Sequence, residues 1–309
     1  MDRVTVIMAT YNGEKYIEEQ IVSILTSSYK NITLYIVDDG SKDSTMEILN
    51  RFKKQYPDII KISQNVTNLG VTQNFLNAIN NTTSDYIMLC DQDDVWKKDK
   101  IEKTLKRMKQ MEIQFGKDTP VAVFTDAYVT DSKLNIIHES FFRSGRLNPR
   151  LTDLAHLLME NKLIGCTVMI NGALRKILQS KPLPKNARFH DGWLGLMAAS
   201  FGKISFISEP TLYYRQHEAN VVGNRGFLMY VLDRIGNIKK QKKALEALQI
   251  QAKEFAELYR DYLDDKKLEL ILRFSNLSKE GFLRRRLIII KYGYLKSGIV
   301  RNIGLFIIV

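Results

Sequence analysis

The sequence predicts an α/β fold: a Rossmann-like nucleotide-binding sheet that turns mixed in its second half and carries a C-terminal helical extension. Three observations predict it. Short β-rich apolar runs alternate with helix-period segments over residues 1–115, and each run ends in an elbow bearing Gly, Asn or Asp. From about Gly226 the chain becomes helical and charged, with no Pro. Repeated β-α units of this length imply parallel strands joined by right-handed crossovers. The expected division is 1–222 for one α/β domain, with a Rossmann-like half 1–115 and a mixed second half 116–222, followed by a basic helical extension 223–309.

Residues 4–10 are β-rich and stop at Tyr11-Asn12-Gly13; residues 14–27 then place Tyr16, Ile17, Ile21, Ile24 and Leu25 at helical spacing. A second predicted strand, 32–37, ends in Asp38-Asp39-Gly40-Ser41. The helix after it begins near Ser44, where Ser44 and Glu47 fit a capping box. Residues 59–63 lead through Asn68-Leu69-Gly70 into a helix over 71–79. The run 86–89 precedes Cys90-Asp91-Gln92-Asp93-Asp94-Val95-Trp96 and a helix over 98–111. In the second half, 121–128, 167–170 and 203–207 read as strands, and 153–159 and 194–200 as helices. Pro182 and Pro184 punctuate a loop into Phe189-His190-Asp191-Gly192-Trp193. Tyr213-Tyr214-Arg215-Gln216-His217 closes the region, and 239–262 reads as a charged helix.

A chain of 309 residues with 45% hydrophobic and 26% charged residues can bury a large core. Its two cysteines, Cys90 and Cys166, match no zinc spacing and no disulfide framework, which suits a reducing compartment, so a cytoplasmic location is expected. No secretory leader is legible, and no apolar stretch reaches the ~18 residues that span a bilayer. The net charge is +12, and residues 279–309 hold seven Lys/Arg against one Glu, so six of the twelve excess charges lie there. Interleaved Ile, Leu and Phe favour an amphipathic surface on anionic lipid at the inner face of a membrane over nucleic-acid binding; a packing element with a solvated basic face is the equal alternative.

Three carboxylates within four residues, Asp91, Asp93 and Asp94, repel one another unless a cation or donor network lies between them. They follow a run short enough for a buried parallel strand, and ligands of open α/β sheets collect beyond the carboxyl ends of strands. The cluster is read as a site for Mg2+ or Mn2+; the alternative is a solvated turn. Asp39-Gly40-Ser41 reads either as a turn or as a base-recognition site, since a carboxylate can accept the imide N–H of uracil or thymine. No Walker lysine and no G-x-G-x-x-G occurs, which disfavours ATP and NAD chemistry.

In order and spacing, Thr10-Tyr11-Asn12-Gly13, Asp38-Asp39-Gly40-Ser41, Asn68-Leu69-Gly70, Asp91-Gln92-Asp93-Asp94 and His190-Asp191-Gly192-Trp193 make residues 4–222 resemble a family 2 glycosyltransferase of the GT-A fold. The Asp-Gln-Asp-Asp-Val-Trp form is similar to that of bacterial polysaccharide rhamnosyltransferases. The resemblance implies a nucleotide site at Thr10, Tyr11, Asn12, Asp39, Asn68, Gly70, Asp91 and Gln92, with Asp93, Asp91 and His217 as metal ligands. It further implies Arg215 as a phosphate contact, His190 and Trp193 as acceptor contacts and Asp191 as the catalytic base. Inverting sugar transfer needs one such base, whereas a glycosidase needs two carboxylates flanking its bond.

Local alternatives stand beside these roles: Asp94 or Asp191 as a helix cap, Gly70 as a loop glycine, Trp193 as core, His190 as turn filler, His217 as a surface residue, and Cys166 as packing. The resemblance implies a dTDP- or UDP-sugar donor, dTDP-L-rhamnose first, and a saccharide acceptor, free or lipid-linked, in cell-surface polysaccharide synthesis. UDP-hexose and UDP-N-acetylhexosamine stay open as donors. A nucleotidyltransferase is disfavoured by the missing triphosphate loop. A noncatalytic membrane-bound carbohydrate-binding protein is the rival from another class. The processive Gln-x-x-Arg-Trp motif is absent, so one sugar per encounter is expected.

Overall fold

A computed structural model describes residues 2–217 and 237–309. The expected boundary at 222/223 lies outside them. The chain opens with β1 (Val4–Thr10), α1 (Ile17–Leu25), β2 (Ile32–Asp38), α2 (Thr45–Gln55), β3 (Ile60–Gln64), α3 (Gly70–Asn80) and β4 (Tyr86–Cys90). These four strands are parallel in the order β3-β2-β1-β4, so the elbows after β1, β2 and β4 share one edge of the sheet. Between β1 and β4 the strand order reverses, and a crevice opens at such a point.

Next come β5 (Val95–Trp96), α4 (Lys100–Phe115), β6 (Val121–Thr130), β7 (Ile136–His138), α5 (Phe141–Ser144), α6 (Leu154–Met159), β8 (Met169–Asn171), α7 (Gly172–Gln179), α8 (His190–Phe201) and β9 (Lys203–Arg215). Here the sheet becomes mixed, as expected: β8 lies antiparallel between β4 and β6, β9 runs parallel to β6, and β5 pairs antiparallel with β9. The two residues of β5 hold the acidic loop against β9.

Burial explains the strand runs. β1, β2 and β4 are covered on both faces, so Val4, Val6, Ile7, Met8, Leu34 and Ile87 are all at or near zero exposure, and their sequence is continuously apolar rather than alternating. The capping box at Ser44 does not form. The Ser44 side chain makes no cap bond; Asp43 Oδ1 instead accepts from Thr45 N at 3.0 Å, and Glu14 Oε2 accepts from Ser44 N at 2.8 Å. An acid one residue earlier has taken the role, and Glu14 ties the first elbow to α2.

The extension comprises α9 (Ile238–Leu258), α10 (Asp265–Ser275), α11 (Phe282–Tyr292) and α12 (Ile299–Ile308). It packs on the sheet domain. Phe255 of α9 and Tyr259 just beyond its end meet Trp193 of α8, with ring centroids 5.1 and 6.2 Å away, while Phe274, Ile289 and Leu305 join the same core. Glu160 clips the far end, accepting from Ser297 N at 2.8 Å and pairing with Arg301 at 3.2 Å and with Lys162. Two cations and a peptide N–H hold the Glu160 carboxyl below its usual range despite burial, whereas burial, joined by repulsion from Arg301, outweighs Glu160 at Lys162 and pushes that ammonium down. The carboxylate is therefore the partner stabilised by the clip. Among the described residues no helix is long and apolar enough to cross a membrane.

Candidate active site

At the shared strand edge, Asp38 and Asp39 divide two tasks. Asp38 is buried and knits the elbows together, accepting from Thr10 Oγ1 at 2.9 Å, Gly40 N at 3.1 Å, Ser41 N at 2.9 Å and Gln64 Nε2 at 3.1 Å. Asp39 receives the amides of Leu69 and Gly70, both at 2.8 Å, and Asn65 Nδ2 at 2.8 Å. A carboxylate has about four acceptor positions, so one is left for a base N–H. Gly70 has φ +77°, a left-handed conformation that turns its amide onto Asp39 at the first turn of α3. Asn68 fixes the same turn from both sides, donating to the Asp39 carbonyl at 3.1 Å and accepting from Gly70 N at 3.1 Å.

The side chains of the first elbow are not equivalent. Tyr11 is exposed and available to a base or ribose. Thr10 is buried with its hydroxyl committed to Asp38, so its expected place in the pocket lining is corrected to a structural one. Asn12 adopts φ +49° and receives Lys42 N on Oδ1 at 2.9 Å, joining the first two elbows. Gln92 spends its amide on the Tyr11 peptide. Asn12, Asn68 and Gln92 thus shape the nucleotide end through backbone bonds, and their side-chain amides are engaged within the protein.

The acidic loop leaves β4 beside Cys166. Asp91, Asp94 and the Cys166 thiol bring their polar atoms within 4.8 Å of one another. Burial first, then Asp93, Asp94 and Asp191, push the Asp91 carboxyl well above its ordinary range. Asp94 is pushed up to about 7 by burial and Asp93. The Cys166 thiol is itself pushed up by burial and the two acids, so it remains a hydrogen-bond donor to them and no ligand for a hard cation. Asp94 Oδ1 accepts from Arg215 N at 3.1 Å, while Oδ2 is buried with no hydrogen-bond partner. Asp94 therefore caps no helix; it links the loop to β9. Asp93 Oδ2 lies 2.8 Å from His217 Nε2, and the His217 ring stacks on Tyr16 at 5.0 Å. Crowded carboxylates, one with an orphaned oxygen, beside an imidazole form an oxygen-rich donor set that fits Mg2+ or Mn2+.

Arg215 does not face this set as a phosphate contact. Its guanidinium donates to Asp93 O at 2.8 Å and Ser132 O at 2.7 Å, pairs with Glu19 and covers the Tyr16 ring at 4.5 Å, all while buried. Each of its three guanidinium nitrogens donates to a protein acceptor, so the structure gives Arg215 the task of bracing the loop in place of the expected phosphate contact.

Asp191 sits in the first turn of α8, where its Oδ1 accepts from Gly192 N at 2.6 Å, and its Oδ2 lies 3.6 Å from where a Cβ on Gly165 would stand. Burial pushes the group up to about 7, against the pull of the helix terminus and of the polar groups of Gly192, Gly165 and Asn161. The Gly165–Cys166 turn lies between the two acid groups: Gly165 stands against Asp191, and the Cys166 thiol is within 4.8 Å of carboxylate oxygens of Asp91 and Asp94.

Two acceptor assignments change. Trp193 is fully buried against Phe255 and Tyr259, so no sugar reaches its face; the core alternative holds. His190 stacks on Phe75 at 4.0 Å with both ring nitrogens buried and unpartnered, and burial lowers it to about 3. It is a neutral wedge behind Asp191 rather than an acceptor contact. Sequence reading missed Asn161, Cys166 and the wholly buried Lys100, whose ammonium reaches Thr211 Oγ1 at 3.2 Å and is lowered to about 8 by burial. None stands in a motif, and only Cys166 drew attention, as packing.

The family description "Glycosyl transferase family 2" matches residues 5–178. The dTDP-rhamnosyl transferase RfbG of Shigella flexneri is 34% identical over 232 residues, covering 70% of this chain and 73% of that protein. Among solved structures, Staphylococcus aureus TarS 1–349 superposes with a TM-score of 0.58 at 18% identity, over 93% of this chain and 72% of TarS. The Pyrobaculum calidifontis mannosyltransferase PcManGT, solved with GDP-Man and Mn2+, superposes with a TM-score of 0.53 at 18% identity, over 94% and 73%. At that identity these two likenesses speak to the fold.

Proposed function

The chain belongs to glycosyl transferase family 2 and is a glycosyltransferase of GT-A fold, and from that premise we propose that it transfers a hexose with inversion, using Asp191 as base and a divalent cation at the acidic loop. The observation that supports this reading is the Gly165–Cys166 turn: a Cβ on Gly165 would stand 3.6 Å from Asp191 Oδ2, and the Cys166 thiol lies within 4.8 Å of carboxylate oxygens of Asp91 and Asp94. Residues 2–217 supply the chemistry and 237–309 the packed extension.

Tyr11 and Asp39 receive the base, with Asn12, Asn68, Gly70 and Gln92 holding their elbows in place. Asp91, Asp93 and His217 would hold Mg2+ or Mn2+, which supplies charge neutralisation to a departing diphosphate. An acceptor hydroxyl attacks the anomeric carbon from the side opposite the diphosphate. As that C–O bond forms, the sugar–phosphate bond breaks, its electron pair leaves on the diphosphate, and the hydroxyl proton passes to Asp191. A carboxyl near 7 is matched to that task at neutral pH.

The donor proposed is dTDP-L-rhamnose, supported by the name of the Shigella relative, with a cell-surface saccharide as acceptor. A UDP-N-acetylhexosamine is the second reading, favoured by the fold likeness to TarS, solved with UDP-GlcNAc. The test incubates the protein with a panel of nucleotide sugars and Mn2+ or Mg2+ and reads nucleotide release. Release selective for dTDP-L-rhamnose is expected. Selectivity for ADP-linked donors would contradict the Asp39 argument, because adenine offers no imide N–H.

A further inference from the structure

The extension that packs on the sheet domain also turns an apolar face outward. Of 21 exposed large hydrophobic side chains among the described residues, eight fall within 282–309, too concentrated for random scatter. On α11, Leu283, Leu287 and Ile290 recur at i, i+4 and i+7, with Phe282 beside them; on α12, Ile299, Ile303 and Ile307 recur at i, i+4 and i+8. The opposite sides of these helices are anchored, through Ile288, Ile289, Leu305 and Ile308 in the core. Arg286 ties the two helices, donating to Phe306 O at 2.6 Å.

Charge accompanies the apolar stripes. Residues 281–309 contain six Lys/Arg and no Asp or Glu. Arg273, Arg284 and Lys291 rim a groove of about 490 Å3 lined also by Leu287 and Ile290. From this we infer that α11 and α12 form a docking surface for an anionic phospholipid bilayer, lying in its interface rather than crossing it. The aliphatic stripes enter the acyl boundary, and the cations meet lipid phosphates. Two observations select this occupant. Nucleic acid would require aromatic platforms, and Phe282 is the only exposed aromatic among the outward side chains of this face. A second copy docked face to face would set the exposed Arg284 and Lys291 of one copy against their like on the other.

The surface is coupled to the cleft. Glu160, which holds Ser297 and Arg301 of the extension, is the neighbour of Asn161, and the Asn161 side chain packs beside Gly192, the residue after Asp191. A lipid-linked saccharide is the acceptor that such docking would present; this clause rests on the proposed transfer, while the docking does not.

The test is flotation of the full chain with phosphatidylglycerol-containing or pure phosphatidylcholine vesicles, with nucleotide release from the donor read in parallel. The wild type should float with the anionic vesicles and be released by salt. A triple variant, Leu283→Ser, Leu287→Ser and Ile303→Ser, should bind roughly tenfold more weakly or worse at unchanged thermal stability. Arg284→Gln with Lys291→Gln should lose the preference for anionic over neutral vesicles. Absence of wild-type flotation, or flotation unchanged by the triple variant, overturns the inference. So does a wild-type dimer that the triple variant dissolves, which would make the face a protein interface. A wild type that releases nucleotide but does not float removes docking alone, and a wild type that floats but releases no nucleotide removes transfer alone.

Discussion

The side-chain amide of Gln92 pairs with the peptide of Tyr11 in both directions, Tyr11 N–H to Oε1 at 2.8 Å and Nε2–H to Tyr11 O at 3.1 Å. This double bond joins the elbow after β1 to the acidic loop after β4, across the point where the strand order reverses. A Cβ at Gly13 would stand 2.3 Å from Gln92 Oε1, so the close approach also depends on that glycine.

Gln92→Ala should release Tyr11 from the acidic loop without unfolding the protein. Two lost hydrogen bonds at ~1 kcal/mol each predict a rise of about 10- to 30-fold in donor KM with a smaller change in kcat. Steady-state kinetics over donor concentration checks it; a pure kcat effect would mean that the pair serves the reacting centre rather than the nucleotide end.

Trp193→Phe should leave acceptor KM unchanged, because the indole is enclosed by Phe255 and Tyr259. Trp193→Ala should instead lower stability by about 3–5 kcal/mol through the cavity it leaves. Denaturant unfolding with acceptor kinetics separates the two; a raised acceptor KM in the folded Phe variant would restore the contact role.

Glu160→Gln should cost about 3–5 kcal/mol, because it strands the buried Lys162 and Arg301 charges. The wild-type contribution has a defined pH window. The folded Glu160 carboxyl lies below its unfolded value, so its stabilisation is complete above the unfolded pKa, about 4.3, and is lost as pH falls through the folded one. Unfolding curves from pH 7 to pH 3 should show wild type and variant converging at the acid end. A constant gap would show that Glu160 is not the group titrating.

What was legible in the sequence follows from what leaves a local trace. Parallel strands buried on both faces leave continuous apolar runs, so β1, β2 and β4 were readable within a residue or two, and their elbows with them. β5 and β7 have two and three residues, too short for any period, and their pairing is set by distant partners in β9 and β6. Asp91 and Asp191 could be found because carboxylates at strand and helix ends have recognisable neighbours. Trp193, Arg215 and Thr10 were misread because their sequence positions border the cleft while their side chains turn away from it. That direction is decided by α9 for Trp193, by Glu19 and Ser132 for Arg215, and by Asp38 for Thr10. Asn161 and Cys166 act from loops with no pattern at all.

The central claim is that Asp191 accepts the acceptor's proton, and the most direct test is the pH dependence of the transfer rate for wild type and Asp191→Asn at saturating donor and divalent cation. In the folded protein Asp191 is pushed up to about 7, so the base form grows as pH rises, and the wild-type rate should climb from pH 5.5 to a plateau above about 8. The Asn variant should bind donor with unchanged KM, lose roughly 100- to 10,000-fold in kcat and show no such climb. A folded Asp191→Asn protein that retains both the rate and the wild-type pH profile would contradict the account.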